Sequence, residues 1–423
     1  MEAIGQVVIW LMMAFLLVGA VASMRDDERG MGKEFKEGLH AIGPIFVPVA
    51  GIMCLMPILS AFVSSVLGPV YAAVHADPAL AATAVIAGDM GGYQIAHETA
   101  GGHAAWMLAY AVAFTSGSTI IFSIPVGLAM LRREDHRYMA LGVMAGLLSI
   151  PLAVLVMALL LLWTGTPLRS EISTTAPSTT PFDMPIRQIL LNLVPLTAFV
   201  VLLALGLRFL SGFMVRAFIL FGRILNIVIT GALAMSIAQY FTGIFDLLGL
   251  PWPLDPFIAD EEDQFRALEV AGYIGVMLAG AFPMVYAIRT WLARPLTAVG
   301  RRLGFSEAGV AGLLAGAANI LALFRVVGSM PARDKVLTIA FSVCAAFTFG
   351  DHLAFSANFQ PNMVGILIVG KLLGGTVGLL LALWLAVPHA RRLEREQATQ
   401  EGAESQHRAD RVSPAIAGTS DTN

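Results

Sequence analysis

The sequence predicts an all-α polytopic integral membrane protein, with about nine full transmembrane helices plus two short re-entrant or broken helices in an inverted repeat. Three observations carry this prediction. The 423 residues are 57% apolar and 13% charged, and mean hydropathy is +0.77, whereas about a quarter of the residues of a soluble domain are charged. Apolar runs long enough to cross roughly 30 Å of hydrocarbon recur along the chain. Finally, two hydrophobic stretches carry a carboxylate beside glycine, Gly88-Asp89-Met90-Gly91-Gly92 and Gly350-Asp351-His352, at matching places in two halves.

The run from Ala3 to Met24 opens the chain; with Glu2 and no basic segment before it, it reads as a retained first span and not as a signal peptide. Further spans run from Ala41 to Leu67, Ala104 to Leu131, Tyr138 to Trp163, Gln188 to Leu207, Ile224 to Phe245, Ala267 to Trp291, Val336 to Phe355 and Asn362 to Val387. Two segments, Pro78 to Ile95 and Glu307 to Val327, are short, rich in Gly and Ala and polar at their ends. Irregular backbone at membrane depth survives only where protein or a cavity satisfies it, so both are expected to be re-entrant or broken. The chain thus divides into a first membrane repeat (1–165), a linker and linking helix (166–215), a second, inverted repeat (216–388) and a polar, disordered cytoplasmic tail (389–423).

The net charge of −3 says little; the placement of Lys and Arg says more. Arg25, Arg29, Lys33 and Lys36 follow the first span, Arg132, Arg133 and Arg137 follow the run ending at Leu131, Arg294, Arg301 and Arg302 precede the second short segment, and Arg391, Arg392 and Arg395 follow the last span. These suit the cytoplasmic side. The Ser/Thr/Pro-rich stretch from Thr164 to Pro185 and the acidic loop from Asp246 to Asp263 suit the outside. All loops are satisfied if both short segments are re-entrant, with the N-terminus outside and the C-terminus inside.

Spacing supports the repeat. Pro57 and Pro69 are twelve apart, as are Pro283 and Pro295; Asp77 to Asp89 matches Glu307 to Asn319; and Thr115-x-Gly117-x4-Phe122-Ser123 recurs as Thr348-x-Gly350-x4-Phe355-Ser356. Inverted repeats place a binding site at the midplane and permit alternating access.

Few residues are left to supply chemistry. Asp89 sits among Gly88, Gly91 and Gly92, where missing Cβ atoms let backbone and ligand approach. A carboxylate there favours a cation, as a substrate or coupling-ion ligand, and the alternative is a helix cap within a buried loop. Asp351, followed by His352, gives the other half an acid that either faces the same path or pairs with Lys371 inside the last span. Asn319 offers a neutral donor and acceptor, or satisfies backbone. Glu98 suits an outer mouth, and His97 and His103 suit loop positions with scope for titration. Tyr93, Trp106 and Trp252 suit an interfacial belt, or ring faces against an ammonium.

Enzymatic signals fail. Gly365-x4-Gly370-Lys371 continues with Leu372 inside an apolar run, which is not a nucleotide-binding loop. Cys54 and Cys344 are isolated, so neither a disulfide framework nor a metal cluster is expected. No cofactor, catalytic residue or nucleic-acid partner is expected.

The chain resembles a known family on several motifs together: Gly88-Asp89-Met90-Gly91-Gly92 with Glu98-x-x-Gly101-Gly102 and Ala105-Trp106, Phe122-Ser123-Ile124-Pro125, Arg137-Tyr138-x-Ala140-Leu141-Gly142-Val143, and Gly350-Asp351-His352 with Val369-Gly370-Lys371-Leu372. These are similar to the EutH-like ethanolamine permeases of bacterial ethanolamine-utilisation clusters. The likeness runs from the first span to about Val387. It departs at Ala318-Asn319-Ile320-Leu321, where the family pattern is Asn-Asn-Ile-Pro, and at Gly88, where the family has Cys.

The resemblance implies ethanolamine uptake across the inner membrane. The expected substrate-binding residues are Asp89, Gly91, Gly92, Asn319, Asp351 and His352, with Lys371 and Glu98 as ion-pair or coupling residues; the expected partners are ethanolamine and the lipid bilayer, with a homo-oligomer left open. A channel-like facilitator is the nearest rival reading. A membrane receptor or anchor for a metabolic compartment leaves the intramembrane acids unexplained.

Overall fold

The computed structural model describes residues 2–397 and Thr399. Its helices, in chain order, are α1 (Glu2–Ser23), α2 (Gly30–His40), α3 (Ile42–Cys54), α4 (Met56–Phe62), α5 (Gly68–Ala73), α6 (Ala79–Thr83), α7 (Gly92–Thr99), α8 (His103–Val112), α9 (Ile124–Met130), α10 (His136–Leu147) and α11 (Ile150–Thr164). They continue as α12 (Ile186–Phe209), α13 (Ser211–Thr242), α14 (Ile244–Leu247), α15 (Ala267–Arg302), α16 (Glu307–Ala318), α17 (Ile320–Val327), α18 (Ala332–Ala345), α19 (Asp351–Phe359) and α20 (Val364–Leu385). Among the described residues the only strands are a two-residue pair, Pro167–Leu168 against Thr180–Pro181.

Among the described residues nine helical stretches are long and apolar enough to cross a membrane. The number matches the sequence expectation, but the members differ. The run Ala41 to Leu67 is divided at Leu55, whose backbone (φ −83°, ψ 2°) leaves the helix, giving Gly30–Cys54 and Met56–Ala73. The run Val336 to Phe355 drops out because it breaks between α18 and α19, with Phe347 held at φ +59°. The span expected from Ile224 begins earlier, at Ser211. The tail is not wholly disordered either: residues 387–397 are helical, and Glu394 accepts from the Ala332 amide at 3.1 Å. The rest of the expected tail lies outside the described residues.

Glycine contacts fix how the helices run. A Cβ on Gly280 would lie 2.4 Å from the Met12 carbonyl oxygen, and one on Gly19 would lie 2.9 Å from Pro283, so α1 and α15 run the same way. Gly38 abuts Ala279 and Gly275 abuts Ile42, so α2 and α3 run against α15. Small residues permit such close approach in a bilayer, where packing and not water exclusion drives helix association.

The loops sort by charge. One side gathers Arg132, Arg208, Arg301, Arg302, Arg333 and Arg391, with Arg333 bonding the carbonyls of Leu303 and Gly304 and Arg208 meeting His389 at 2.6 Å. The other side carries Asp77, Glu98, Asp183 and the loop from Asp246 to Asp263. Over this acidic side folds the 165–185 loop, where Arg169 donates to the carbonyls of Ser173, Thr174, Ala176 and Asn358.

Both short segments are hairpins that enter and leave by one side. Asp77 ties the ends of α6–α7 together on the acidic side, accepting from Ala79 at 2.9 Å and from Gly101 at 2.8 Å. Asp334 of α18 holds the entry to α16–α17 on the basic side, accepting from the Ser306 amide at 2.7 Å.

Candidate functional site

The site is assembled from two hairpin tips and the two interrupted helices behind them. At the first tip the backbone turns extended at Ala87, makes a 3-10 turn over Gly88–Met90, and reaches a left-handed conformation at Gly91 (φ +91°), which only glycine adopts cheaply. A Cβ on Gly92 would lie 2.6 Å from the carbonyl oxygens of Ile86 and Ala87, and one on Gly88 would lie 2.5 Å from the ring of Phe114. The glycines therefore serve to fold Asp89 into the interior. Its carboxylate is buried, and Oδ1 has no hydrogen-bond partner.

At the second tip Asn319 leaves helical geometry (φ −155°, ψ 121°) and its Oδ1 caps α17, accepting from Leu321 at 2.9 Å. The expected family proline is absent, yet the helix is still broken, because asparagine is a good N-cap.

Behind each tip lies a distorted helix. After α18 the chain lays Phe347 and Phe349 amides against the carbonyls of Gly316 (3.3 Å) and Ala317 (2.9 Å), and Gly350 lets it press on Ala318, where a Cβ would be 2.2 Å from the carbonyl oxygen. Helix α19 then restarts at Asp351. After α8 the chain makes two π-helical turns, Ala113–Gly117 and Thr119–Ser123. There Ser116 donates to the Ala84 carbonyl at 2.7 Å, and a Cβ on Gly117 would be 2.2 Å from the Ile86 carbonyl oxygen.

Between the tips lies a cavity of about 420 Å³, lined by Asp89, Asn319, Asp351 and His352. Ser118, Phe122, Phe282 and Phe347 complete its inner walls, and Glu37, His40 and Arg325 stand at its mouth. The mouth residues are exposed, so the cavity opens toward the basic side. Toward the acidic side a layer of fully buried aromatics, Tyr93, Tyr110, Phe114, Phe355 and Phe359, closes it.

Other candidates fall elsewhere. Lys371 is fully buried, but no ion pair joins it to Asp351 in this structure; its ammonium donates to the carbonyl of Phe114 in the first π-helical turn. His352 is buried, with its ring 4.7 Å from that of Phe114 and 5.2 Å from Phe347, and its Nδ1 is unpartnered. Gly91 and Gly92 shape the turn and do not line the cavity. Glu98 is exposed on the acidic side, bonded to Ser60, on the far side of the aromatic layer.

His103 is half-buried and meets the Arg169 carbonyl at 3.0 Å, so it is not a free loop histidine. Tyr93 and Trp106 are core residues and not a belt, with Trp106 Nε1 donating to the Tyr93 carbonyl at 3.0 Å and Gln360 donating to the Tyr93 hydroxyl. Trp252 packs against Phe245 near the acidic loop, with the rings tilted by 41°.

The sequence reading missed Glu37, His40 and Arg325. Charges near a helix end read as loop markers, and only the fold turns them toward a cavity. It also missed the buried pair of Lys335 with Asp135 at 2.5 Å on the basic side.

Two carboxylates, an amide and a hydroxyl around one cavity can hold a small organic cation that also carries a hydroxyl. Among the described residues no group of three or more His, Cys, Asp or Glu is placed to hold a metal.

Residues 4–385 match the family model described as ethanolamine utilisation protein, EutH. The chain is 34% identical over 385 residues to a protein of Listeria monocytogenes named probable ethanolamine permease EutH, covering 91% of this chain and 95% of that one. Proteins of the same name from Escherichia coli K12 and Salmonella typhimurium LT2 are each 34% identical, covering 95% and 90% of this chain and 99% and 95% of theirs. No solved structure matches.

Proposed function

The chain belongs to the EutH family of ethanolamine utilisation proteins, and from that premise we propose that it takes up ethanolamine, as the protonated amine, by alternating access across the inner membrane. The observation that carries this reading is the cavity bearing Asp89 and Asp351, which opens to one side only. A permanent aqueous pore would open to both, so the one-sided cavity favours a carrier over a channel-like facilitator.

Charge counting supports the cation. Two ionised carboxylates and the Lys371 ammonium leave one excess negative charge in the low-dielectric interior, and one protonated amine cancels it. Asn319 keeps its amide nitrogen for the substrate's hydroxyl, and Ser118, whose hydroxyl donates to the Thr115 carbonyl at 3.4 Å, keeps an oxygen that can accept. The cavity is many times the size of a four-heavy-atom amine, which fits the open stage of a cycle in which closure completes the contacts.

The paired glycines Gly117 and Gly350, each pressed on its own half's hairpin tip, support the inverted repeat, as do two hairpins entering from opposite sides. The excess of Arg on the side to which the cavity opens supports an inward-facing state, with the acidic loops outside.

The test is uptake of labelled ethanolamine into proteoliposomes with and without a proton or sodium gradient. Saturable uptake is expected. Accumulation beyond equilibrium identifies a coupling ion, equilibration identifies a uniporter, and non-saturable flux would sink the carrier reading.

A further inference from the structure

Among the described residues Lys371 is the one buried lysine without an acid partner. Among the described residues the other buried lysine, Lys335, lies 2.5 Å from Asp135, whereas Lys371, wholly buried in α20, donates to nothing but the Phe114 carbonyl. A lone ammonium at membrane depth is costly and marks function more often than packing.

The group that could neutralise it is close by and equally unsatisfied. Asp89 is near enough for its charge and that of Lys371 to act on one another, yet no ion pair closes between them, and Asp89 Oδ1 is buried without a donor. Phe114 touches both neighbourhoods. Its backbone holds Lys371, and its ring packs against the Gly88 position beside Asp89. The carbonyl that holds Lys371 belongs to the π-helical turn Ala113–Gly117, a backbone arrangement in which the hydrogen-bond ladder is locally re-paired and a side chain can exchange partners.

We infer that Lys371 is a tethered counter-ion that takes the place of the substrate ammonium on Asp89 when the carrier is empty, and retreats to the Phe114 carbonyl when the cavity is open to receive substrate. Lys371 is then a positioning residue. It neutralises Asp89 for the return of the empty carrier, and in the loaded carrier the substrate's ammonium takes over that carboxylate. The inference rests on the ethanolamine transport reading.

This role separates two modes of transport in proteoliposomes holding the full chain. Net uptake into substrate-free vesicles requires the empty carrier to return; exchange of labelled for unlabelled ethanolamine does not. Lys371→Gln, which keeps a donor for the Phe114 carbonyl but removes the charge, is expected to lower the ratio of net uptake to exchange by on the order of tenfold or more, because the empty carrier would have to bury a second unpaired carboxylate. Lys371→Arg, which keeps the charge, is expected to hold that ratio within about threefold of the original protein, and it carries the test alone if the Gln variant is not monodisperse.

An unchanged ratio in Lys371→Gln, or an equal collapse in Lys371→Arg, overturns the inference. A purified protein that moves no labelled ethanolamine in either mode overturns the transport reading and this inference with it.

Discussion

The two hairpins are built alike and finished differently. Each has its mouth fixed by an aspartate: Asp77 spends its carboxylate on backbone amides at the two ends of α6–α7, and Asp334 of α18 bonds the Ser306 amide before α16 and the Arg333 guanidinium. Each has its tip pressed by a glycine of the neighbouring distorted helix, Gly117 or Gly350. At the tips they part. Asn319 commits its side-chain oxygen to capping α17, whereas Asp89 keeps a buried oxygen with no donor. A buried polar group without a partner costs a few kcal/mol, so an unpartnered carboxylate oxygen on a cavity wall is the feature expected of a ligand position. On the proposed reading the mouths are structure, and the first tip is the binding site.

The sharpest test of that division is the most damaging to the fold and the least damaging to transport. Lys335→Met removes the buried partner of Asp135 and leaves its carboxylate only the exposed Arg132 guanidinium at 3.3 Å, which is expected to cost about 3 kcal/mol, read as a fall in the detergent melting temperature. Uptake per molecule of folded protein should be nearly unchanged. A full loss of uptake in protein that remains folded would move the functional boundary out to this pair.

Asp89→Asn is the mirror experiment. Removing the charge at the tip should leave expression and melting close to those of the original protein, while uptake at low substrate falls at least about tenfold, because a desolvated charge-assisted contact is worth roughly 1.5–3 kcal/mol. Unaltered uptake kinetics would remove Asp89 from the ligand set and, with it, the contrast between the tips.

That contrast was partly legible in the sequence. Glycines around Asp89, its match to Asn319 in spacing, and the placement of Asp351-His352 were enough to bring these residues to one cavity, because hairpin tips and helix breaks are written in Gly and Asn. The break after α18 was not legible. Ala345-Ala346-Phe347-Thr348 is as apolar as any span, and what opens it is a set of backbone bonds to Gly316 and Ala317 from a distant segment. Leu55 is likewise an apolar residue in an apolar run, so hydropathy passes over the division it makes. The partner of Lys371 was beyond reach for a related reason: a search for acids cannot find a carbonyl turned by a π-helical turn.

The second tip should respond more weakly than the first. Asn319→Ala removes the N-cap of α17 and one neutral donor to the cavity, so a stability loss of about 1 kcal/mol with a several-fold rise in KM is expected. Asn319→Ser, which keeps a capping oxygen, should restore the stability and not the KM. Restoration of both would make Asn319 purely structural, and a loss as deep as that of Asp89→Asn would make the tips functional equals.

The smallest effect is expected from pH, and it bears on why one tip carries an acid at all. An alkylamine with a pKa near that of lysine, about 10.4, is almost wholly protonated from mildly acidic to mildly alkaline solution, while its trace neutral form rises about tenfold per pH unit. A carrier that selects the ammonium with Asp89 and Asp351 therefore sees a nearly constant substrate concentration, and the bare bilayer sees a steeply rising one. Between about pH 6.5 and pH 8, the rate in vesicles holding the protein, less that in empty vesicles, should change by less than about twofold on account of the amine, while leakage through empty vesicles climbs on the order of thirtyfold. The cell's need for the protein thus grows as the medium becomes acidic, since the neutral leak disappears there first. A protein-dependent rate that climbed with the neutral amine would mean that the cavity takes the uncharged form, and the unpaired carboxylate at the first tip would then have no cation to hold.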